Sequence, residues 1–139
     1  MIESTSELES YITGIEQKYR EIKDSKLVFD KLGNTLGVLS GEIEFKYEIK
    51  LKISEQIDFS DGTIASYRYE VSQGKEILYW YDPQPHPDDP AIAITFPHHK
   101  HIHPDIKNHR VPAPGVGFNH NKITNLPFLI EEIIDNLID

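Results

Sequence analysis

Histidines are concentrated in one short stretch of this chain. Four of the seven histidines lie within six positions, at His98, His99, His101 and His103. Histidine titrates near neutral pH, and its neutral ring is also a ready metal ligand. So dense a cluster is therefore a proton-transfer site, a metal site or a polar surface strip without chemistry.

The same stretch is basic within an acidic chain. Residues 98–122 contain four cationic side chains and one acid, whereas the whole chain has a formal net charge of -9. The cations are Lys100, Lys107, Arg110 and Lys122, and the acid is Asp105. A local excess of positive charge attracts anions that the rest of the surface repels. We therefore expect an anionic ligand here.

An extended backbone over residues 98–103 would place alternate side chains on opposite faces. His99, His101 and His103 would then share one face. An H-x-H pair with a third histidine or a carboxylate could hold zinc, iron, manganese or nickel. His98 and Lys100 would lie on the other face. Without a metal, paired histidines can act as general base and acid, and Lys100 can stabilise a phosphate-like charge. The pattern leaves the metal site, the acid–base site and the inert strip open.

A carboxylate occupies an apolar position in a long alternating segment. From Ile43 to Phe59 every odd-numbered residue is apolar except Glu55. A buried carboxylate is unfavourable unless it is paired. Glu55 is therefore a general base, or the partner of an arginine or histidine in a cleft, or it lies at a bulge that turns it toward water. We expect a bend or bulge near residues 54–56, because the segment is longer than a typical strand.

Two further polar residues could contribute to a site. Arg68 stands between Tyr67 and Tyr69, and a cation interleaved with aromatic rings can stack bases and hold phosphates. Aromatic residues are also preferred in strands, so we expect the tyrosines themselves in the core. His86 lies in the proline-rich loop 82–90. It could close over the histidine cluster as a ligand or acid, or it is incidental to it.

Length and composition bound the class of protein. The 139 residues fit one domain, 1–139, and the absence of cysteine excludes disulfides and thiolate chemistry. The acidic balance argues against a general nucleic-acid binder but not against a small RNA-directed site. The sequence has no motif of a phosphate-binding loop, a dinucleotide fold or a serine hydrolase. Without a signal-peptide pattern or a long apolar segment, we expect a cytoplasmic protein with no membrane contact.

The periodicity of apolar residues predicts two helices around a run of strands. Three- and four-residue spacing predicts helices over residues 4–24, with a capping box at Ser6 and Glu9, and over residues 126–138. Period-two patterns predict strands over 43–59, 63–71, 77–81 and 91–96, with weaker candidates over 27–32 and 36–40, and residues 110–121 form a long loop. We therefore expect a single α+β domain, an antiparallel β-sheet flanked by N-terminal and C-terminal helices.

The order of several motifs resembles that of a known toxin family. The motifs are the alternating strand with Glu55, then Ser66-Tyr67-Arg68-Tyr69, Tyr81-Asp82-x-x-Pro85-His86 and Phe96-Pro97-His98-His99-Lys100-His101, and last an acidic C-terminal helix. Over residues 36–136 this order resembles the TumE-type toxins of bacterial and archaeal type II toxin–antitoxin modules. The chain departs from the pattern after His86, where many relatives would show a second histidine, and in a longer glycine-rich loop over 112–121.

The resemblance implies a small cytoplasmic α+β protein that inhibits growth when free and is silenced by a cognate antitoxin, often a DNA-binding one. It places the family's characteristic polar positions at Glu55, Arg68, Tyr69, His86, His98, His99 and His101. By analogy with comparable small toxins, we expect interference with RNA or translation, so that RNA or the ribosome is the target.

The leading hypothesis is therefore a toxin that acts on RNA or translation and needs no cofactor. In its catalytic version a histidine or Glu55 removes a 2′-hydroxyl proton, and a second histidine protonates the leaving oxygen. Arg68 and Lys100 would stabilise the negative charge of the transition state.

Two other hypotheses remain open from the sequence. One is a metal-dependent enzyme or metal-binding protein that uses the His98–His103 cluster, with His99, His101 and His103, or His86, as ligands. The other is a binding protein without catalysis, whose acidic surface docks a partner.

Overall fold

A seven-stranded antiparallel sheet organises the part of the chain that the computed structural model describes, residues 2–84, 88–93, 95, 97–118 and 123–138. Its spatial order follows chain order. The strands are β1 (Ile22–Leu32), β2 (Leu36–Phe45), β3 (Ile49–Asp58), β4 (Thr63–Gln73), β5 (Glu76–Asp82), β6 (His99–His101) and β7 (Arg110–Pro112). Helices α1 (Thr5–Thr13) and α2 (Ile15–Lys18) precede the sheet, and α3 (Leu126–Leu137) follows it. The predicted α+β class is confirmed.

Short turns join the long strands. Gly33 has a φ angle of 77° in the β1–β2 turn, and Gly74 has a φ angle of 57° in the β4–β5 turn. Glycine adopts such left-handed angles without the steric cost that a Cβ would bring. The strands predicted over residues 27–32 and 36–40 are confirmed, and both are longer than their sequence pattern indicated.

The helix predicted over residues 4–24 is wrong in its second half. Helix α1 ends at Gly14, whose N–H donates to the carbonyl oxygens of Ser10 and Ile12, and the short α2 follows. Glycine disfavours continuation of a helix. Strand β1 already begins at Ile22. The apolar residues that suggested one long helix therefore belong partly to helices and partly to a strand.

The start of α1 also differs from the prediction. The N-cap is Ser4, whose side-chain oxygen accepts a hydrogen bond from the N–H of Glu7 at 3.1 Å. The capping serine is therefore Ser4 rather than Ser6, and its hydroxyl also donates to the Glu7 carboxylate at 3.1 Å.

The long alternating segment is two strands rather than one. Tyr47 and Glu48 have φ angles of 64° and 60°, and they separate β2 from β3. The irregularity expected near residues 54–56 lies in the neighbouring strand, where Ala65 of β4 is an extra residue. Strand β3 therefore stays regular, and Glu55 keeps the inward orientation of its alternate neighbours.

The sheet has a helix-covered side, which we call the inner face, and an opposite side, which we call the outer face. Along β3 buried and exposed residues alternate over the whole strand. Leu129, Ile130 and Ile133 of α3 are fully buried in the same core as the inward side chains of the strands. Burying each such side chain contributes about 1.5–3 kcal/mol. The sheet and α3 thus form one core and leave the outer face available for a site.

The chain after β5 is less regular than predicted. The strand predicted over residues 91–96 is wrong in its described part, because Pro90–Ile92 forms a 3-10 turn. Proline favours the first position of such a turn, since it has no N–H to leave unpaired. The loop predicted over residues 110–121 contributes β7 at its start. None of the described helices is long and apolar enough to span a membrane.

Candidate functional site

Strand β6 divides the histidine run between the two faces of the sheet. Lys100 points to the inner face, where it contacts α3. His99 pairs with Asp82, and His101 pairs with Trp80. These four side chains point to the outer face, because residues paired across antiparallel strands share a face. One short strand therefore supplies two separate groups of polar side chains.

Three buried side chains converge on the outer face: Asp82, His99 and His101, which we call the outer cluster. His99 Nε2 lies 2.9 Å from Asp82 Oδ1 and 2.9 Å from His101 Nε2. The other carboxylate oxygen, Asp82 Oδ2, is 3.7 Å from His101 Nε2. Among the described residues this is the only such group whose ligand atoms all lie within 4.8 Å of one another. The exposed fractions of the three residues are 8%, 0% and 4%.

Backbone carbonyls determine which nitrogen of each imidazole faces the outer cluster. His99 Nδ1 lies 3.0 Å from the carbonyl oxygen of Pro97, and His101 Nδ1 lies 2.8 Å from that of Ile106. A carbonyl oxygen can only accept a hydrogen bond, so each Nδ1 carries a hydrogen and donates it. Both Nε2 atoms are therefore directed at the cluster, as in histidines that bind metals or transfer protons.

The outer cluster perturbs the charges of its members. Burial raises the pKa of Asp82, but its contact with His99 and the hydrogen bond from the Gln84 N–H, 3.0 Å away, lower it more, so the pKa lies below its ordinary value. Burial lowers the pKa of His101, because the uncharged ring is less penalised away from water. At neutral pH an ionised carboxylate therefore lies beside an uncharged imidazole, which suits binding a cation or moving a proton.

An open cleft reaches the outer cluster. Its volume is 310 Å³, and it is lined by Ser66, Tyr67, Arg68, Asp82, Pro83 and Gln84. Arg68 is exposed, and its guanidinium carbon lies 5.9 Å from the centroid of the Trp80 ring. Trp80 in turn stacks on His101, with 4.4 Å between ring centroids. The exposed cation, the aromatic ring and the buried cluster are therefore contiguous.

Glu55 lies on the inner face and is fully buried. Its carboxylate accepts hydrogen bonds from the Tyr69 hydroxyl, from the Thr124 hydroxyl at 2.6 Å and from the Asn125 N–H at 2.9 Å. Burial, followed by the negative charge of Glu55, raises the pKa of Tyr69. Asn125 is the N-cap of α3, so the carboxylate also faces the positive end of that helix. The alternative in which Glu55 turns toward water is wrong, and the carboxylate links β3 and β4 to α3.

Lys100 belongs to a second group on the inner face. Its Nζ lies 3.3 Å from Glu132 Oε2 of α3, and the same oxygen accepts a hydrogen bond from the Tyr81 hydroxyl at 2.6 Å. Lys100 Nζ is also 4.1 Å from the centroid of the Tyr79 ring, a cation–π contact. Lys100 is thus paired toward the core and points away from the outer cluster.

His98 packs among aromatic rings apart from the outer cluster. Its Nδ1 is 2.8 Å from the hydroxyl of Tyr67, and its ring stacks on Tyr67 and meets Phe118 edge-on. Burial, followed by the charge of His99, lowers the pKa of His98. The neutral ring therefore serves as an aromatic contact and a hydrogen-bond partner.

The remaining predicted residues lie elsewhere. His103 is exposed, and its Nε2 lies 2.9 Å from a backbone carbonyl of β5, so it does not join the outer cluster. His86 lies outside the described residues. Arg110 pairs with Asp89 at 3.4 Å. Since Lys100 is also paired, two cations of the predicted basic segment are already neutralised, and Arg68 is the exposed cation beside the outer cluster.

Asp82 is the member of the outer cluster that the sequence hypotheses missed. It ends β5 directly before Pro83, so it resembles an ordinary turn former. A signal was nevertheless present. Tyr81 is an aromatic residue in a strand and is expected to face the core. Because neighbouring residues in a strand face opposite sides, Asp82 is then expected on the other face of the sheet.

Acidification is expected to destabilise the fold, because the pKa values of Asp82 and His101 both lie below their ordinary values of 3.8 and 6.5. A group with a lowered pKa binds fewer protons in the folded chain, so its stabilisation is lost as pH falls through the folded-state pKa. The effect should begin below pH 6.5 through His101 and increase near pH 4 through Asp82. Thermal melting in chelator-containing buffers between about pH 7.5 and 3 measures it. A His101→Gln variant should melt with a weaker pH dependence near pH 6, and an equal dependence would contradict the assignment.

Comparison with known proteins identifies the family of this chain. The sequence model of a family described as Toxin TumE matches residues 12–135. No curated protein and no solved structure matches the chain significantly. The matched residues include the outer cluster, Arg68, Glu55 and most of α3. The chain therefore belongs to the TumE toxin family.

Proposed function

We propose that this chain is the growth-inhibiting component of a toxin–antitoxin module and acts on RNA or the translation machinery through its outer face. Membership of the TumE toxin family supports the toxin part, and a toxin family implies a cognate antitoxin. The observation that carries the site is the cleft in which exposed Arg68 borders the buried outer cluster at Asp82.

Arg68 and Trp80 support a nucleic-acid ligand. A guanidinium binds phosphate through paired hydrogen bonds, and an aromatic ring beside it can stack an unpaired base. The net charge of -9 keeps the rest of the surface unfavourable for polyanions. Binding is therefore confined to a short segment that presents one phosphate to Arg68 and one base to Trp80.

The outer cluster supplies the chemistry in this proposal. Asp82 lines the cleft, and His99 lies fully buried behind it. A proton taken up at Asp82 can pass to His99 and His101 across contacts of 2.9 Å. Such a relay can accept the proton of a 2′-hydroxyl and return one to the leaving oxygen, while Arg68 stabilises the developing charge.

Glu55 and Lys100 act indirectly in this proposal. Both are engaged on the inner face with α3 or the residues that begin it. Their role is to hold the sheet and helix together rather than to contact the substrate.

The test is growth of a bacterial host after induced expression of the wild type, His99→Asn and His109→Gln at matched soluble levels. His99→Asn removes the imidazole at the centre of the outer cluster and is expected to restore growth. His109 is an exposed histidine of the same segment, so His109→Gln should arrest growth like the wild type. A melting curve of each purified variant separates loss of activity from loss of folding.

RNA integrity and the rate of protein synthesis after induction identify the target. Arrest by the wild type with cleaved RNA or stalled translation is the expected result. Equal arrest by His99→Asn would remove the outer cluster from the mechanism. Soluble wild type that leaves growth unchanged would contradict the toxin proposal, and arrest with intact RNA and normal synthesis would contradict the target.

A further inference from the structure

The orientation of the side chains in the outer cluster brings electron-rich atoms of Asp82, His99 and His101 close together. A positive charge between these atoms would stabilise the arrangement. Because both Nδ1 atoms donate to carbonyls, each Nε2 of His99 and His101 presents a lone pair when it carries no proton, and Asp82 presents carboxylate oxygens. His99 Nε2 faces acceptors of this kind at 2.9 Å on two sides. Lone pairs repel one another at such a distance unless a proton or a metal ion lies between them.

The spacing of the ligand atoms fits a small metal ion. Nitrogen and oxygen ligands lie about 2.0–2.1 Å from tetrahedral zinc, which places them roughly 3.3 Å from one another. His99 Nε2 lies 2.9 Å from Asp82 Oδ1 and 2.9 Å from His101 Nε2, and the other carboxylate oxygen, Asp82 Oδ2, lies 3.7 Å from His101 Nε2. These values lie on both sides of the zinc spacing, so shifts of about half an ångström would accommodate an ion.

The surroundings hold the ligand atoms in place. The carbonyls of Pro97 and Ile106 fix the orientation of both imidazoles, and the Gln84 N–H donates to Asp82 Oδ1. Trp80 stacks on the ring of His101. Supporting hydrogen bonds of this kind orient metal ligands and raise their basicity.

We propose that the outer cluster binds one divalent transition-metal ion through the Asp82 carboxylate and the Nε2 atoms of His99 and His101. Two histidines and one carboxylate suit zinc, iron(II), manganese or cobalt, and they leave coordination positions for water or substrate. Asp82 lines the same cleft as Arg68. A phosphate held by Arg68 would therefore lie next to the ion. The sequence left the third ligand open between a histidine and a carboxylate, and here Asp82 is the carboxylate that takes the place of His103.

The competing state is a proton on His99 Nε2, which makes His99 an imidazolium between Asp82 and His101. Both states satisfy the geometry, but they differ in what the purified protein retains. Only the metal-bound state makes stability depend on chelators and on added metal. The inference does not depend on which molecule the toxin attacks. In the metal-bound state the three side chains act as ligands, so the proton relay described above applies to the metal-free state.

The experiment uses the full chain without a histidine tag, as wild type, His101→Gln and His109→Gln. Metal content is measured as purified and again after loading with Zn²⁺ and gel filtration. The wild type and His109→Gln should retain about one transition-metal ion per chain, and His101→Gln should bind Zn²⁺ at least about 100-fold more weakly. Zn²⁺ should raise the melting temperature of the wild type, and a chelator should lower it.

Loading with Co²⁺ gives a readout that does not depend on the variants. Visible absorption by the Co²⁺-loaded wild type is expected if nitrogen and oxygen ligands enclose the ion, and it decides the question if His101→Gln does not fold. Wild type that retains no metal, and whose melting temperature is the same in chelator and in Zn²⁺, would overturn the proposal. Wild-type affinity in folded His101→Gln would overturn the ligand assignment. Growth arrest does not enter this test, so its outcome is separate from that of the proposed function.

Discussion

Replacing Glu55 with alanine is expected to lower the free energy of unfolding by about 3–5 kcal/mol, the usual cost of breaking a buried charged network. The substitution leaves three donors without their acceptor: the hydroxyls of Tyr69 and Thr124 and the N–H of Asn125. It also opens a cavity between the sheet and the beginning of α3. Small domains are stable by only about 5–15 kcal/mol. A large fraction of the variant molecules would therefore be unfolded at low denaturant concentration. Urea unfolding followed by circular dichroism measures the change.

Glu55→Gln is the matched control, because the amide keeps the size of the side chain. Its oxygen can still accept from Tyr69 and Asn125, and the Thr124 hydroxyl can rotate to accept from the amide nitrogen. We expect a cost of about 1–2 kcal/mol and retained growth arrest. A folded Glu55→Gln protein that no longer arrests growth would show that the carboxylate takes part in proton transfer, as one sequence hypothesis held.

Arg68→Ala is expected to reduce toxicity by about 100-fold or more, the usual effect of removing a group that stabilises a developing negative charge. Arg68 is exposed and forms none of the ion pairs among the described residues. Its removal should therefore change stability by no more than about 0.5 kcal/mol. The measurement is surviving colonies after induction, together with inhibition of cell-free translation by purified protein across a dilution series.

Two variants distinguish a specific role of Arg68 from its charge alone. Arg68→Lys keeps the charge but loses the paired donors, so it should retain only part of the activity. Lys75→Ala removes one exposed cation from the β4–β5 turn, away from the cleft, and should remain fully toxic. If Arg68→Ala is as toxic as the wild type, the anion does not bind at this cleft.

Local patterns predicted most of the fold because strands and the last helix are encoded by neighbouring residues. Alternation revealed the inward phase of β3, and turn residues revealed the hairpins. The failure at residues 4–24 has a physical cause. Apolar residues at Ile15, Tyr19 and Ile22 fit a helical spacing equally well when Gly14 ends one helix and a strand begins at Ile22. Spacing alone carries no information about that break.

The candidate site was harder to predict because its partners are distant in sequence. The histidine run and the place of Glu55 in an apolar alternation were visible locally, although a bulge that turns Glu55 toward water remained an alternative. The pairing of His99 with Asp82 depends instead on the register between β5 and β6. Two of the donors to Glu55, Thr124 and Asn125, come from the segment before α3. Only tertiary packing brings these groups together. Residue types could therefore indicate acid–base or metal chemistry, but they could not indicate which side chains meet.

The alternation of β6 restricts how its pairing with β5 can change. Because His99 and Lys100 point to opposite faces, a slip of β6 by one residue against β5 would exchange them. The lysine would leave its partner on α3, and the imidazoles would turn into the core. A slip by two residues would keep both faces but would separate His99 from Asp82. The two groups of side chains, on opposite faces, therefore both oppose any change in the register between β5 and β6.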